Sequence, residues 1–233
     1  MNTIVIGTGN VGSQFARIFG VEPISSRTLD GLTQNADLYI IAVSDNAVKE
    51  VAEKLPKLNG IVVHTTGSVP MKTLKSVDCQ GYGVMYPFQT ISKTRPLPPG
   101  KIPLLLEASD PDTLEKIRTL ALQTGFTNIG LADSEKRRKV HLTGTFACNF
   151  TNTMIAISQQ ILDDCGINRS IITPLVEETI AKLNTISAKE AQTGPAVRKD
   201  TSTLSKHLEL LDNLKMHKEA EIYKVISDYI MSN

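Results

Sequence analysis

Over the first 130 or so positions, short apolar runs alternate with amphipathic stretches; beyond them apolar residues recur only at helical spacing. The first run, Ile4-Val5-Ile6, predicts a strand, residues 13–19 a helix, and residues 22–24 a short second strand. Residues 36–43, apolar through their middle, predict a buried parallel strand, and Ser44-Asp45-Asn46 a capped helix running to about Leu55. Strands over 61–64 and 84–87 continue the series. A proline-rich connector over 95–103, a strand at 104–106, a helix over 112–123 and a strand over 127–131 complete it. Such alternation calls for a doubly wound α/β parallel sheet with helices on both faces, here in residues 1–132. At Asp133 the pattern changes. Ser134 is placed to cap a helix whose Phe146, Phe150, Met154, Ile157 and Ile161 form one apolar stripe. Further helices are expected from Thr173, with Pro174 in the first turn, to about Ala188, over 201–214 and over 217–231. Residues 133–233 thus read as a separate all-α domain.

The turn after the first strand carries the chemistry. Gly7, Thr8, Gly9, Asn10, Val11 and Gly12 fit GxGxxG between a strand and a helix, the arrangement of a Rossmann-like dinucleotide-binding fold. Gly7 permits the tight turn, Gly9 lets the backbone approach a pyrophosphate, and Gly12 lets the helix pack close to the strand. Ser25, Ser26 and Arg27 end the expected second strand, where an NAD site places an acid; the nearby acid, Asp30, lies beyond it in a turn with Gly31. Hydroxyls with a forked cation suit a 2′-phosphate, so the expected cofactor is NADP, the alternative being a polar loop with a solvated arginine. Val43, Ser44, Thr66 and Gly67 end neighbouring strands and are further cofactor-binding candidates.

Composition narrows the rest. A net charge of +1 over 233 residues gives no electrostatic footprint for nucleic acid or an anionic membrane, and the longest apolar run, residues 38–43, is far short of a membrane span. Cys79, Cys148 and Cys165 are odd in number and widely spaced, which argues for free thiols and against a disulfide framework or a zinc site. A cytoplasmic protein is expected. The charged run over 135–139 reads as a solvated first helical turn, the alternative being a role in holding phosphate.

With sheet and helices placed, the chain resembles the 6-phosphogluconate dehydrogenase and pyrroline-5-carboxylate reductase superfamily. The residues that carry the likeness are the glycine turn 7–12, Ser25-Ser-Arg27, the segment 36–45 and a second-domain helix rich in small and amide residues. More narrowly, His64-Thr-Thr-Gly-Ser68, Tyr86-Pro-Phe-Gln89, His141 with Asn149, and residues 194–200 look like a family of NADP oxidoreductases whose C-terminal domain has no assigned function. The resemblance implies transfer of a hydride between NADP(H) and a small carbonyl or imine in a cleft between the domains. In related β-hydroxyacid dehydrogenases a lysine and an asparagine follow each other on the long helix; matching glycines puts Asn149 at the lysine and Asn152 at the amide. Asn149 can hydrogen-bond a substrate but cannot deliver a proton.

His141 is therefore the expected acid. On a continuous α-helix it lies about 80° and roughly 12 Å from Asn149. Its alternative is a histidine satisfied by a backbone carbonyl. His64 is a second donor or part of its turn. Gln89, at a strand end, is a substrate-binding candidate, with Tyr86 and Phe88 read as packing. Arg198, in the Gly194-Pro195 loop, could clamp a carboxylate or pair with Asp200. The apolar faces of the helical half exceed what one small bundle can cover, which suggests a homodimer through those helices. The alternative function is a non-catalytic NADP(H)-binding redox sensor.

Overall fold

In the computed structural model, which describes residues 2–232, the first apolar run is β1 (Thr3–Ile6) and the glycine turn opens α1 (Asn10–Phe19). Then follow β2 (Leu38–Ile41), a 3₁₀ turn leading into α2 (Val48–Lys54), β3 (Ile61–His64), β4 (Gly81–Pro87), β5 (Leu104–Ala108), α3 (Pro111–Gln123) and β6 (Ile129–Leu131). The strands form one sheet in the order of their numbers. Every residue of β1, β2 and β3 is buried, as helices on both faces require. Val5, Leu38, Ile40, Val63 and Met85 face Phe15 of α1 and Ile117 and Ala121 of α3. Their neighbours Ile4, Ile6, Tyr39, Ile41 and Val62 face Val48 and Val51 of α2 on the other side. Burying each such aliphatic side chain stabilises the sheet by about 1.5–3 kcal/mol.

The strand expected over 22–24 shrinks to a single parallel bridge between Ile24 and Ile6. Ile24 N–H donates to Val5 O at 2.8 Å and Gly7 N–H to Ile24 O at 2.9 Å. Pro23 has no N–H to lengthen the ladder. Because β2 pairs β1 with all four of its residues, and all four are buried, Ile24 joins β1 from the opposite edge, and the strand order reverses around β1.

The expectation of a wholly parallel sheet is corrected at β5, which pairs β4 in the antiparallel sense, while the other pairs are parallel. A parallel partner needs a long crossover, usually a helix. The proline-rich connector supplies only a 3₁₀ turn, Pro99–Lys101, so β5 runs back. The register gives this reversal a purpose. His64 at the end of β3 pairs Val84, and β4 continues beyond that level through Met85, Tyr86 and Pro87. Leu104 of β5 starts opposite Pro87, Glu107 returns to Val84, and β6 follows β5 with Leu131 beside Leu106. The helix after β6, α4 (Ser134–Gly144), therefore begins close to the level at which β3 ends.

Asp133, rather than Ser134, caps α4: its Oδ1 accepts Lys136 N–H at 2.8 Å. That frees the Ser134 hydroxyl for Glu107, which it reaches at 3.0 Å. Within the charged run, Glu135 and Lys139 pair at 2.8 Å on the surface, but Arg137 is 0% exposed, which corrects the reading of the whole run as solvated. A π-helical segment, Thr145–Phe150, follows α4. Contacts close the first unit at Phe150, whereas composition changes at Asp133.

The second unit begins at Thr151 with α5 (Thr151–Asp164), followed by α6 (Thr173–Lys182), α7 (Thr201–Asn213) and α8 (His217–Ser232). Pro174 occupies the first turn of α6, which ends short of Ala188. Asp200 caps α7, accepting Thr203 N–H at 3.0 Å and the Thr203 hydroxyl at 2.7 Å. From the predicted stripe, Met154, Ile157 and Ile161 line an apolar groove of about 350 Å³ with Leu204, Leu211 and Ile222. Phe146 and Phe150 belong to the first unit and stay exposed, their rings edge-on with centroids 5.1 Å apart. Among the described residues no helix is long and apolar enough to cross a membrane.

Candidate functional site

Where the strand order reverses, the ends of β1 and β2 and the Ser25–Arg27 segment open into a cleft of about 830 Å³. Residues 7–11, 25–27 and 42–44 line it, with Glu50 and Lys54 of α2. Its glycines divide the labour as the sequence implies. Gly7 has φ +122°, and a Cβ there would collide with the Ala42 carbonyl. A Cβ on buried Gly12 would collide with the Gly7 carbonyl, so Gly12 serves helix packing and does not line the cleft. At Gly9 an added Cβ would meet nothing within 4 Å, so the space beside its backbone is open for a ligand. Gly9 also caps α1 without a side-chain bond, leaving the unpaired N–H groups and positive end of α1 at the cleft. These residues fit the pyrophosphate of a dinucleotide.

At the cleft's rim Ser25 organises its turn, its hydroxyl accepting Arg27 N–H at 3.2 Å and its carbonyl accepting Leu29 N–H at 3.0 Å. The Arg27 side chain is exposed, with no hydrogen bond or ion pair among the described residues. Lys54 is the other cleft cation, but Glu50 holds it at 2.6 Å. That bond keeps the Glu50 carboxyl below its ordinary range. Lys54 and Glu50 were missed in the sequence, where their i,i+4 spacing reads as an ordinary surface pair.

The residues expected at the end of β3 are placed differently. His64 is 0% exposed, its Nδ1 accepting Thr66 N–H at 3.2 Å. Burial first, then the Arg137 charge, drives its pKa down to about 3, which favours the neutral ring. Thr66 and Gly67 are buried as well and lie outside the cleft lining. What covers them is Arg137. Its Nε donates to Thr66 O at 3.2 Å, one terminal nitrogen to Val69 O at 2.6 Å, and the other pairs with Glu107. Arg137 thus ties α4 to β5 and to the loop after β3.

One turn further along α4, on the same face, stands His141. Its ring is exposed, and its Nδ1 lies 3.0 Å from the Tyr86 hydroxyl. The rings meet edge-on, with centroids 6.0 Å apart. Tyr86, read from the sequence as packing, is thereby the partner of the candidate acid. Asn149 is exposed in the π-helical segment, where each residue turns through less than the α-helical 100°, so the face shared with His141 is not the one a continuous α-helix gives. Gln89 uses both ends of its amide on backbone, donating to Lys101 O at 3.1 Å and accepting Thr90 N–H at 2.8 Å, which makes it a brace for the connector. Asn152 and Arg198 lie in the second unit, both exposed. Asp200 serves as a helix cap and forms no salt bridge with Arg198.

Compared with solved structures, the chain is similar to a Bacteroides fragilis protein described as a candidate NADP oxidoreductase, at 29% identity and a TM-score of 0.86, over 99% of this chain and 98% of that one. The 1-pyrroline-5-carboxylate reductase of Streptococcus pyogenes shares the fold at 13% identity and a TM-score of 0.57, over 99% and 98%. So does an imine reductase of Myxococcus stipitatus, solved with NADP+, at 15% and 0.58, over 100% and 92%. The three share with this chain a Rossmann-type fold, a mostly parallel sheet with flanking helices followed by a C-terminal helical segment. Among curated proteins none matches. A family model described as a domain of unknown function, DUF2520, matches residues 102–230, more than half of the chain.

Proposed function

The chain belongs to the DUF2520 family, and we propose that it is an NADP-dependent oxidoreductase that transfers a hydride between NADP(H) and a small carbonyl or imine, or the corresponding alcohol or amine. The observation that carries the reading is the cleft at the strand reversal, with Gly9 facing open space and Arg27 an uncommitted cation at its rim. The bound nicotinamide would supply the hydride. The chain's own part is to hold, orient and move a proton. Residues 7–11 and the start of α1 hold the pyrophosphate, Ser25, Ser26 and Arg27 the 2′-phosphate, and Val43 and Ser44 the adjoining wall. His141 exchanges a proton with the substrate at Nε2, and Asn149 donates a hydrogen bond to it. Asn152 and Arg198 remain proposed substrate contacts, Arg198 through its forked guanidinium.

Binding titrations test the cofactor reading. NADPH is expected to bind at least tenfold tighter than NADH, about 1.4 kcal/mol, and Arg27→Ala to remove most of that preference. Equal affinities in the native protein would reject it. NADPH oxidation against panels of carbonyls and imines tests turnover; tight NADPH binding with no turnover on any of them would turn the reading to a redox sensor.

The helical unit supports a homodimer formed through it. Ile171, Leu175 and Tyr229 are 61%, 68% and 71% exposed there, apolar surface that a partner copy would cover. Light scattering at micromolar concentration should give twice the mass of the chain; a monomer would dismiss the dimer.

A further inference from the structure

His141 is held from two sides, and the way it is held selects which of its nitrogens carries the proton. The floor is Gly67. A Cβ there would stand 2.6 Å from His141 Nδ1 and 2.7 Å from Cγ, so the imidazole lies against bare backbone. That backbone is itself fixed, since Arg137 bonds the Thr66 and Val69 carbonyls on either side of it. The second hold is the Tyr86 hydroxyl at 3.0 Å from Nδ1. Tyr86 projects from the part of β4 that runs past β3 and is 9% exposed. Burial, helped by the nearby Asp45 carboxylate and opposed by Arg137, pushes its pKa up to about 12. Its hydroxyl keeps its proton and needs an acceptor, and the neutral imidazole nitrogen beside it is one.

We propose that Tyr86 is the positioning residue of His141: its O–H donates to Nδ1, holds the neutral ring in the Nε2–H tautomer, and presents Nε2–H as a hydrogen-bond donor to the substrate. This rests on the reading of His141 as the group that meets the substrate. The charged ring carries a proton on Nε2 in any case, so with Tyr86 in place Nε2 is a donor in both charge states. A site of that kind recognises an acceptor, a carbonyl oxygen or an imine nitrogen, in preference to an alcohol or amine that must give up a proton. The Nε2–H form is thus the one that recognises the substrate; when the charged ring gives its Nε2 proton to the substrate it is left protonated on Nδ1, and the Tyr86 hydroxyl then turns to accept from Nδ1.

Nitrogen-15 NMR of the imidazoles, on the full chain without substrate, tests this. His141→Gln identifies the His141 signals. Above the ring's titration, Nδ1 is expected to be the bare nitrogen and Nε2 the protonated one. In Tyr86→Phe, which keeps the aromatic ring, the share of the Nδ1–H tautomer should rise about threefold or more, the scale of one lost hydrogen bond. His207, bonded to Tyr223 at 2.8 Å in the helical unit, serves as the internal control and should not change. Should Tyr86→Phe fail to fold, Gly67→Ala, whose Cβ displaces the ring from the hydroxyl, is expected to give the same rise. A native His141 protonated on Nδ1, or a tautomer share unmoved by either substitution, would overturn the proposal. Full turnover in His141→Ala would instead overturn the catalytic reading and leave the tautomer result standing.

Discussion

Turnover is expected to fall by about a hundredfold or more when His141 is replaced by alanine, the usual scale for losing a general acid. NADPH affinity should hardly move, because the cleft proposed for the dinucleotide opens at the ends of β1 and β2 and no residue of α4 lines it. His141→Gln sharpens the test: it keeps hydrogen bonding but can neither take up nor release a proton, so a low rate in that variant marks proton transfer by the native ring. The measurements are a steady-state rate on the substrate found by the panels and a binding titration on the same samples. A folded His141→Ala protein with full activity would end the assignment. His64 could not inherit the role, since it is buried and stays neutral.

The largest effect on stability is expected at Arg137. Its side chain is wholly buried, it meets Glu107, Thr66 and Val69, and Ser134 bonds the same carboxylate. Arg137→Ala leaves Glu107, only 15% exposed, without its cation, and strands two carbonyls. Breaking a buried pair from one side costs about 3–5 kcal/mol, whereas replacing both partners by apolar groups is often nearly neutral. Urea unfolding should therefore show a loss of that order for Arg137→Ala and a substantial recovery in Arg137→Met with Glu107→Leu. A loss under about 1 kcal/mol would mean that water or a shifted side chain takes over the contacts.

The signals that survived from sequence to structure are local ones. The glycine turn is legible because the strand, the turn and the helix it joins follow one another in the chain, and the β-branched runs become β1, β2 and β3 because burial on both faces leaves a continuous apolar signature. Ser25-Ser-Arg27 was found by its place after the expected strand, although only Ile24 pairs there. What the sequence hides depends on partners far along the chain. Arg137 sits in a charged run, and nothing in that run distinguishes the residue that meets Glu107 from those that meet water. The reversal of β5 depends on a connector having no helix, which a proline-rich stretch hints at without fixing direction. Tyr86 and His141 are 55 positions apart, and their bond follows only once β4 is known to outrun β3.

That overrun also bears on where such proteins can be cut and recombined. An exchange of segments made at Asp133, where the residue pattern changes, would leave Glu107 and the turn after His64 in one parent and the guanidinium that satisfies both in the other. A chimera joined there inherits a sheet whose keystone belongs to a different lineage. Joined after Phe150, the sheet takes α4 with it, and with α4 the Tyr86–His141 pair. The transplantable module of this fold is thus longer than its strands.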